Sequence, residues 1–115
     1  MVEKILEKIK EVILDIASKH GVEVDRIVLF GSRARGDYSE DSDWDILIVT
    51  KKKLDSRIRE RFLLGIMRRW TKYRLSNSKY DQDLHIIIVS KESFEKYKDI
   101  LGDIIGFAVL EGIVI

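Results

Sequence analysis

Cysteine and proline are both absent from the 115 residues of this chain, and the formal net charge is only +1. Without cysteine there is no disulfide, no thiolate metal site and no cysteine nucleophile, and we predict a cytoplasmic protein in a reducing compartment. No apolar run approaches the ~18 residues that a membrane-spanning helix needs, so we expect no membrane insertion. The low net charge excludes a global field that would draw the whole protein onto nucleic acid.

Hydrophobic residues make up 45% of the chain and charged residues 36%, which is the balance of a globular domain. We therefore predict a single domain over residues 1–115. A domain of this size buries one core and has little surface left for a second, so we expect the protein to work with partners.

Charge is segregated along the chain. Five acidic residues and no basic residue lie between Asp37 and Asp45, whereas ten basic residues and two acidic ones lie between Lys51 and Arg74. The acidic cluster is either a solvated loop or the site of a divalent metal ion. The basic segment is either a nucleic-acid-binding helix, a surface for an acidic partner, or a solvated helix face.

Hydrophobic periodicity predicts an alternation of helices and strands. We expect helices over residues 2–20, 53–75 and 100–110 and from about 91 onward, and strands over 26–30, 43–50 and 80–90. This order predicts an α/β (α+β) fold, in which a small mixed β-sheet is flanked by helices.

The segment Gly31-Ser32-Arg33-Ala34-Arg35-Gly36 directly follows the first predicted strand. Glycine lets the backbone approach a ligand closely, and serine adds a hydroxyl beside the peptide N–H groups of a short helix. The pair Gly31-Ser32 is thus either a phosphate cradle or an ordinary strand-to-helix turn. The side chains of Arg33 and Arg35 either offset phosphate charge or lie in solvent.

Asp43 and Asp45 lie two residues apart at the start of a predicted strand, so their side chains share one face, while Trp44 points into the packing. Two like charges so close favour a cation between them, and oxygen ligands suit Mg²⁺ or Mn²⁺. Phosphoryl transfer with two metal ions needs a third carboxylate beside the ions, and we predict that Asp83 provides it. Asp81 is the alternative, because strand register cannot be determined from one sequence. We assign His85 no role.

The run GSRARGDYSEDSDWDILIV resembles the signature of the DNA polymerase beta-like nucleotidyltransferase superfamily, and the chain length resembles that of its minimal nucleotidyltransferase (MNT) branch. The resemblance implies a nucleotidyltransferase-type fold and Mg²⁺-dependent transfer of a nucleoside monophosphate, such as AMP from ATP, to a hydroxyl. It further implies that Gly31 and Ser32 hold the triphosphate, that Asp43 and Asp45 bind metal, and that Asp83 is the third acidic residue.

For minimal members, the resemblance also implies a helical partner protein of the HEPN class, which some members adenylylate as antitoxins. A non-catalytic module that binds nucleotide or the partner is the alternative. The apolar segment over residues 104–115 is either core or an interface in a homo-oligomer or complex.

Overall fold

Four strands form one mixed sheet, and helices lie against it. The computed structural model describes residues 2–39, 42–76, 82–100, 105–106, 108 and 112–115. In chain order the elements are α1 (Val2–Lys19), β1 (Val24–Phe30), α2 (Ser32–Arg35), β2 (Trp44–Thr50), α3 (Ser56–Ser76), β3 (Leu84–Ser90), α4 (Lys91–Tyr97) and β4 (Ile113–Val114). The mixed α/β architecture expected from the sequence is confirmed.

The strand order in the sheet is β3-β2-β1-β4. β1 pairs antiparallel with both β2 and β4, whereas β2 pairs parallel with β3. A parallel pair needs a crossover between the end of one strand and the start of the next, and α3 provides it. As a result, α3 runs back along the sheet and ends near the start of β3.

The two faces of the sheet bury separate clusters of side chains. α1 and α3 cover one face and bury aromatic and aliphatic residues that include Phe62, Ile66 and Trp70. The other face carries a smaller cluster, in which Leu47 and Val49 of β2 pack with Phe94 of α4. Because strand side chains alternate between faces, Asp45 lies on the same face as Leu47 and Val49.

The starts of two helices are set by capping side chains. α3 begins at Ser56 instead of the predicted Lys53, because the Asp55 carboxylate accepts the Ile58 N–H at 2.9 Å and starts the helix there. α4 begins at Lys91, close to the predicted position, and the hydroxyl of the preceding Ser90 accepts the Ser93 N–H at 3.2 Å.

Further differences concern the sheet and the chain end. β3 begins at Leu84, and residues 80 and 81 of the strand predicted over 80–90 lie outside the described residues. The helix predicted over 100–110 also lies largely outside them. β4 was not predicted, because a two-residue strand carries no periodicity and depends on pairing with β1.

No helix in the described part of the chain is long and apolar enough to cross a membrane.

Close packing of α1 on α3 depends on Gly65, where an added Cβ would lie 2.7 Å from Cγ2 of Ile16. We expect Gly65→Leu to lower the free energy of unfolding by about 1–3 kcal/mol through overpacking, even though leucine is the better helix former. Chemical denaturation checks this. Thr71→Ala on the exposed side of α3 is the control, and Ile16→Ala should restore part of the loss in a double variant. Equal stability of Gly65→Leu and the wild type would contradict the packing argument.

Candidate active site

The sheet brings three segments of the chain to one edge. In the antiparallel pair the end of β1 lies beside the start of β2, so that Phe30 faces Asp45. In the parallel pair the starts of β2 and β3 lie side by side, so that Asp45 is level with His85. The Trp44 N–H donates to the Asp83 carbonyl at 3.0 Å and extends this pairing to the residue before β3. The predicted phosphate loop and the backbones of the predicted aspartates therefore meet at this edge.

Gly31 stands directly against the carboxylate of Asp45. Its φ of 75° lies in the left-handed region that favours glycine, and an added Cβ would overlap the Oδ2 atom of Asp45. Gly31 also caps α2, and its carbonyl accepts the N–H groups of Ala34 and Arg35. Ser32 is the first residue of that helix, as the sequence predicted. Glycine at position 31 thus lets the backbone and a carboxylate share one small space.

The two aspartates of β2 and its approach differ in their surroundings. Oδ1 of Asp45 lies 3.0 Å from Nδ1 of His85, and the Asp45 side chain is 25% exposed. Asp43 precedes the strand and is exposed, whereas Trp44 between them is buried, as expected. One carboxylate is therefore held in place by its neighbours, and the other is exposed to solvent.

Arg33 joins α2 to the start of β2. Its Nε and Nη2 atoms donate to the Ser42 carbonyl at 3.2 and 2.9 Å. Its guanidinium also lies 4.4 Å from the ring centroids of both Tyr38 and Trp44. Planar donors and flat stacking on two rings are properties of arginine that lysine does not reproduce. Arg35, by contrast, makes an exposed ion pair with Asp37 at 3.2 Å.

Asp83 lies at the same edge but pairs with α3. Its carboxylate accepts from Nη1 of Arg74, and the neighbouring Gln82 carbonyl accepts from the Trp70 indole at 3.0 Å. Among the described residues, no three His, Cys, Asp or Glu side chains form a group able to hold a metal ion. The structure therefore gathers the backbones of the three chosen aspartates at one edge without gathering their carboxylates. Asp81, the alternative, lies outside the described residues.

Asp43 and Asp45 form a donor set that fits Mg²⁺. This ion is commonly bound by one or two carboxylates and completes its octahedron with waters and substrate phosphates. Asp45 points toward the loop where phosphates are predicted to bind, and Asp43 directly precedes the same strand and is exposed. The chemistry of these residues therefore suits a metal–nucleotide complex.

Sequence reasoning missed two contacts at this edge. His85 received no role, yet it contacts Asp45, and Arg74 was counted only as one of many basic residues, yet it pairs with Asp83. The periodicity of YDQDLHIIIVS did place His85 on the face of Asp83, but the alignment with Asp45 follows from the register between β2 and β3.

The role of Arg33 can be tested with a conservative change. We expect Arg33→Lys to loosen residues 42–44, because lysine keeps the charge but loses the paired donation to Ser42 and the stacking on two rings. Hydrogen exchange of the Trp44 amide should accelerate, and the free energy of unfolding should fall by about 1–2 kcal/mol.

Arg35→Lys is the matched control, since it changes an exposed ion pair and should shift stability by less than about 0.5 kcal/mol. Equal exchange rates in the two variants would contradict a positioning role for Arg33.

Comparisons with known proteins show a family and several similar proteins. The nucleotidyltransferase domain family matches residues 6–112. A Methanocaldococcus jannaschii protein named "Putative protein adenylyltransferase MJ0604" is 39% identical over 88 residues, which cover 76% of each chain. A second one, "Putative protein adenylyltransferase MJ0141", is 51% identical over 49 residues, which cover 43% of this chain and 50% of that protein. The match thus spans only half the length of this second relative.

A solved structure shares the fold. A crystal structure described as that of a "putative nucleotidyltransferase" from Sulfolobus solfataricus superposes with a TM-score of 0.57 at 21% sequence identity, covering 98% of this chain and 83% of that one. Since the family model matches residues 6–112, which is nearly the whole chain, the chain belongs to the nucleotidyltransferase domain family.

Proposed function

We propose that this protein transfers AMP from ATP to a hydroxyl group on a partner protein. The observation that carries the proposal is the contact of the Asp45 carboxylate with the Gly31 backbone, which puts a candidate metal ligand beside a candidate phosphate loop. Membership of the nucleotidyltransferase family supports the type of reaction. The names of the two M. jannaschii relatives support a protein acceptor and an adenylyl group.

The residues at the sheet edge divide the work of binding. Gly31 lets the backbone approach the triphosphate, and the Ser32 hydroxyl with adjacent N–H groups binds its outer phosphates. Asp43 and Asp45 hold Mg²⁺, with Mn²⁺ as a substitute, and a bound ion would neutralise charge on the phosphates. Arg35 belongs to the short helix that follows Gly31, and its charge offsets that of pyrophosphate. Arg33 holds residues 42–44, which precede Asp45, against that helix.

The transfer itself exchanges one phosphoester bond for another. The acceptor oxygen attacks the α-phosphorus, the bond to the bridging α,β-oxygen breaks, and pyrophosphate leaves with that electron pair. We assign the acceptor proton to Asp83, which lies at the same edge and requires release from Arg74 to act. In this scheme Asp83 is also the third metal ligand.

The proposed partner and biological role come from the resemblance of residues 31–45 to the corresponding segment of minimal nucleotidyltransferases. We propose a helical HEPN-type protein as the acceptor, with this chain as its antitoxin. The need for ATP places that work in the cytoplasm. The apolar segment over residues 104–115 either belongs to the core or forms an interface between two copies of the chain. Gel filtration with light scattering distinguishes these two possibilities, because only the interface produces a dimer.

Transfer of labelled α-phosphate from ATP tests the proposal. With Mg²⁺ and a co-purified partner as acceptor, we expect label on the partner, and removal of metal with EDTA should abolish it. Asp43→Asn and Asp45→Asn should each lower the rate at least about 100-fold, because an amide loses the charge that binds the ion. Glu7→Gln, which changes an exposed acidic residue of α1, is the control and should leave the rate unchanged. Unchanged transfer by the Asp43→Asn/Asp45→Asn double variant would refute the mechanism.

A second candidate function is nucleotide binding without transfer. The ion pair between Asp83 and Arg74 favours it, because the carboxylate that would complete the reaction is engaged elsewhere. Saturable ATP binding with no label on the partner, together with unaltered partner binding by the Asp43→Asn/Asp45→Asn variant, would establish this function.

A further inference from the structure

One exposed face of α3 carries a regular row of basic and apolar side chains. Its members follow one another at intervals of three or four residues, which aligns them along a helix. This basic stripe consists of Arg57, Arg61, Leu64, Arg68, Lys72 and Leu75. All six are exposed, and the opposite face of α3 is buried in the core through Phe62, Ile66 and Trp70. The stripe therefore contributes nothing to packing against the sheet.

The stripe includes two exposed leucines. Leu75 is 85% exposed and Leu64 44% exposed, and both belong to the large hydrophobic residues that the fold leaves uncovered. They help to line a shallow groove of about 370 Å³, whose other walls are Met67, Arg68, Thr71 and Lys72. Leucines set at helical spacing between cations are the complement of a helix with an apolar centre and acidic flanks.

The cations of the stripe differ from the other basic residues of α3. Arg69 pairs with Asp15 at 2.8 Å and Arg74 pairs with Asp83, so both serve the fold. The four cations of the stripe form no ion pair with any residue in the described part of the chain; they are Arg57, Arg61, Arg68 and Lys72. Their charge is uncompensated in a protein whose net charge is only +1.

We propose that the basic stripe is the docking surface for an acidic amphipathic helix of the acceptor protein. That the bound protein is the acceptor of AMP rests on the proposed function. That the bound helix is acidic and amphipathic rests on the residues of the stripe alone. Acidic side chains of the incoming helix pair with the four cations, and its apolar centre covers Leu64 and Leu75. Charge complementarity sets the orientation and speeds association.

Other occupants fit less well. Two stripes facing each other in a dimer would bring like charges together. The exposed face of α1 in a second copy carries Lys4 and Lys10 beside Glu7 and Glu11, and so offers no net negative charge. Nucleic acid would use the cations but not the two leucines, and the stripe contains no aromatic side chain for base stacking.

The C-terminal end of α3, where the stripe ends, lies close to the start of β3. The last turns of α3 contact the segment before β3 through Trp70 and Arg74, which bind Gln82 and Asp83. Leu75 follows Arg74 directly, so the stripe ends at the same end of the sheet as Asp45, although α3 covers the opposite face of the sheet from that carboxylate.

Fluorescence anisotropy with a synthetic peptide tests the docking surface. The probe is a labelled amphipathic peptide of about 20 residues with leucines at helical spacing and glutamates on both flanks, measured against the full chain without ATP or metal. We expect saturable binding that weakens with added salt. Arg68→Glu and Leu64→Gln should each raise Kd about tenfold, since one reverses a contact charge and the other removes apolar area. Arg59→Glu, on another face of α3, should leave Kd unchanged, and circular dichroism checks that every variant folds.

Specific outcomes would overturn the proposal. They are the absence of saturable binding, equal binding of a peptide with the same composition but dispersed leucines, and equal weakening by Arg68→Glu and Arg59→Glu. Tighter binding of poly(U) than of the peptide would make the stripe a nucleic-acid surface. A dimer by light scattering that Leu64→Gln dissociates would make it a self-association surface. Peptide binding without AMP transfer would contradict the proposed function and leave the docking surface standing.

Discussion

The contact between Gly31 and Asp45 is the constraint on which the rest of the site depends. The antiparallel register that sets Phe30 opposite Asp45 brings the end of β1 to the start of β2, and only a residue without a side chain leaves room there for a carboxylate. A separate, parallel register between β2 and β3 brings His85 to the other side of Asp45. A single carboxylate thus lies between a backbone loop and an imidazole.

Local sequence patterns were sufficient for the features that depend on neighbours along the chain. Alternation along a strand predicted the burial of Trp44 between Asp43 and Asp45, and Trp44 is buried. Glycine and serine after an apolar run predicted the turn and the start of α2. The positions of the mixed sheet and its flanking helices followed from hydrophobic periodicity in the same way.

Contacts between distant segments could not be predicted. For Arg33 the sequence left two roles open, phosphate neutralisation and solvation, and nothing in it shows that Tyr38 and Trp44 lie against the guanidinium. The pairing of Asp83 with Arg74 depends on where α3 ends relative to β3, which no local pattern gives. The choice between Asp83 and Asp81 rests on strand register, which is set by side-chain packing across the whole sheet. These are properties of tertiary structure and not of any short motif.

The order of the strands gives the two β2-associated aspartates unequal rigidity. β2 has hydrogen-bonded neighbours on both sides, so the backbone of Asp45 belongs to the part of a sheet that opens least often in the native state. Asp43 lies one residue outside that strand and is exposed. The carboxylate of Asp45 is therefore anchored by the sheet, whereas that of Asp43 is free to change its rotamer. Adjustment to ligands of different shape then depends on Asp43.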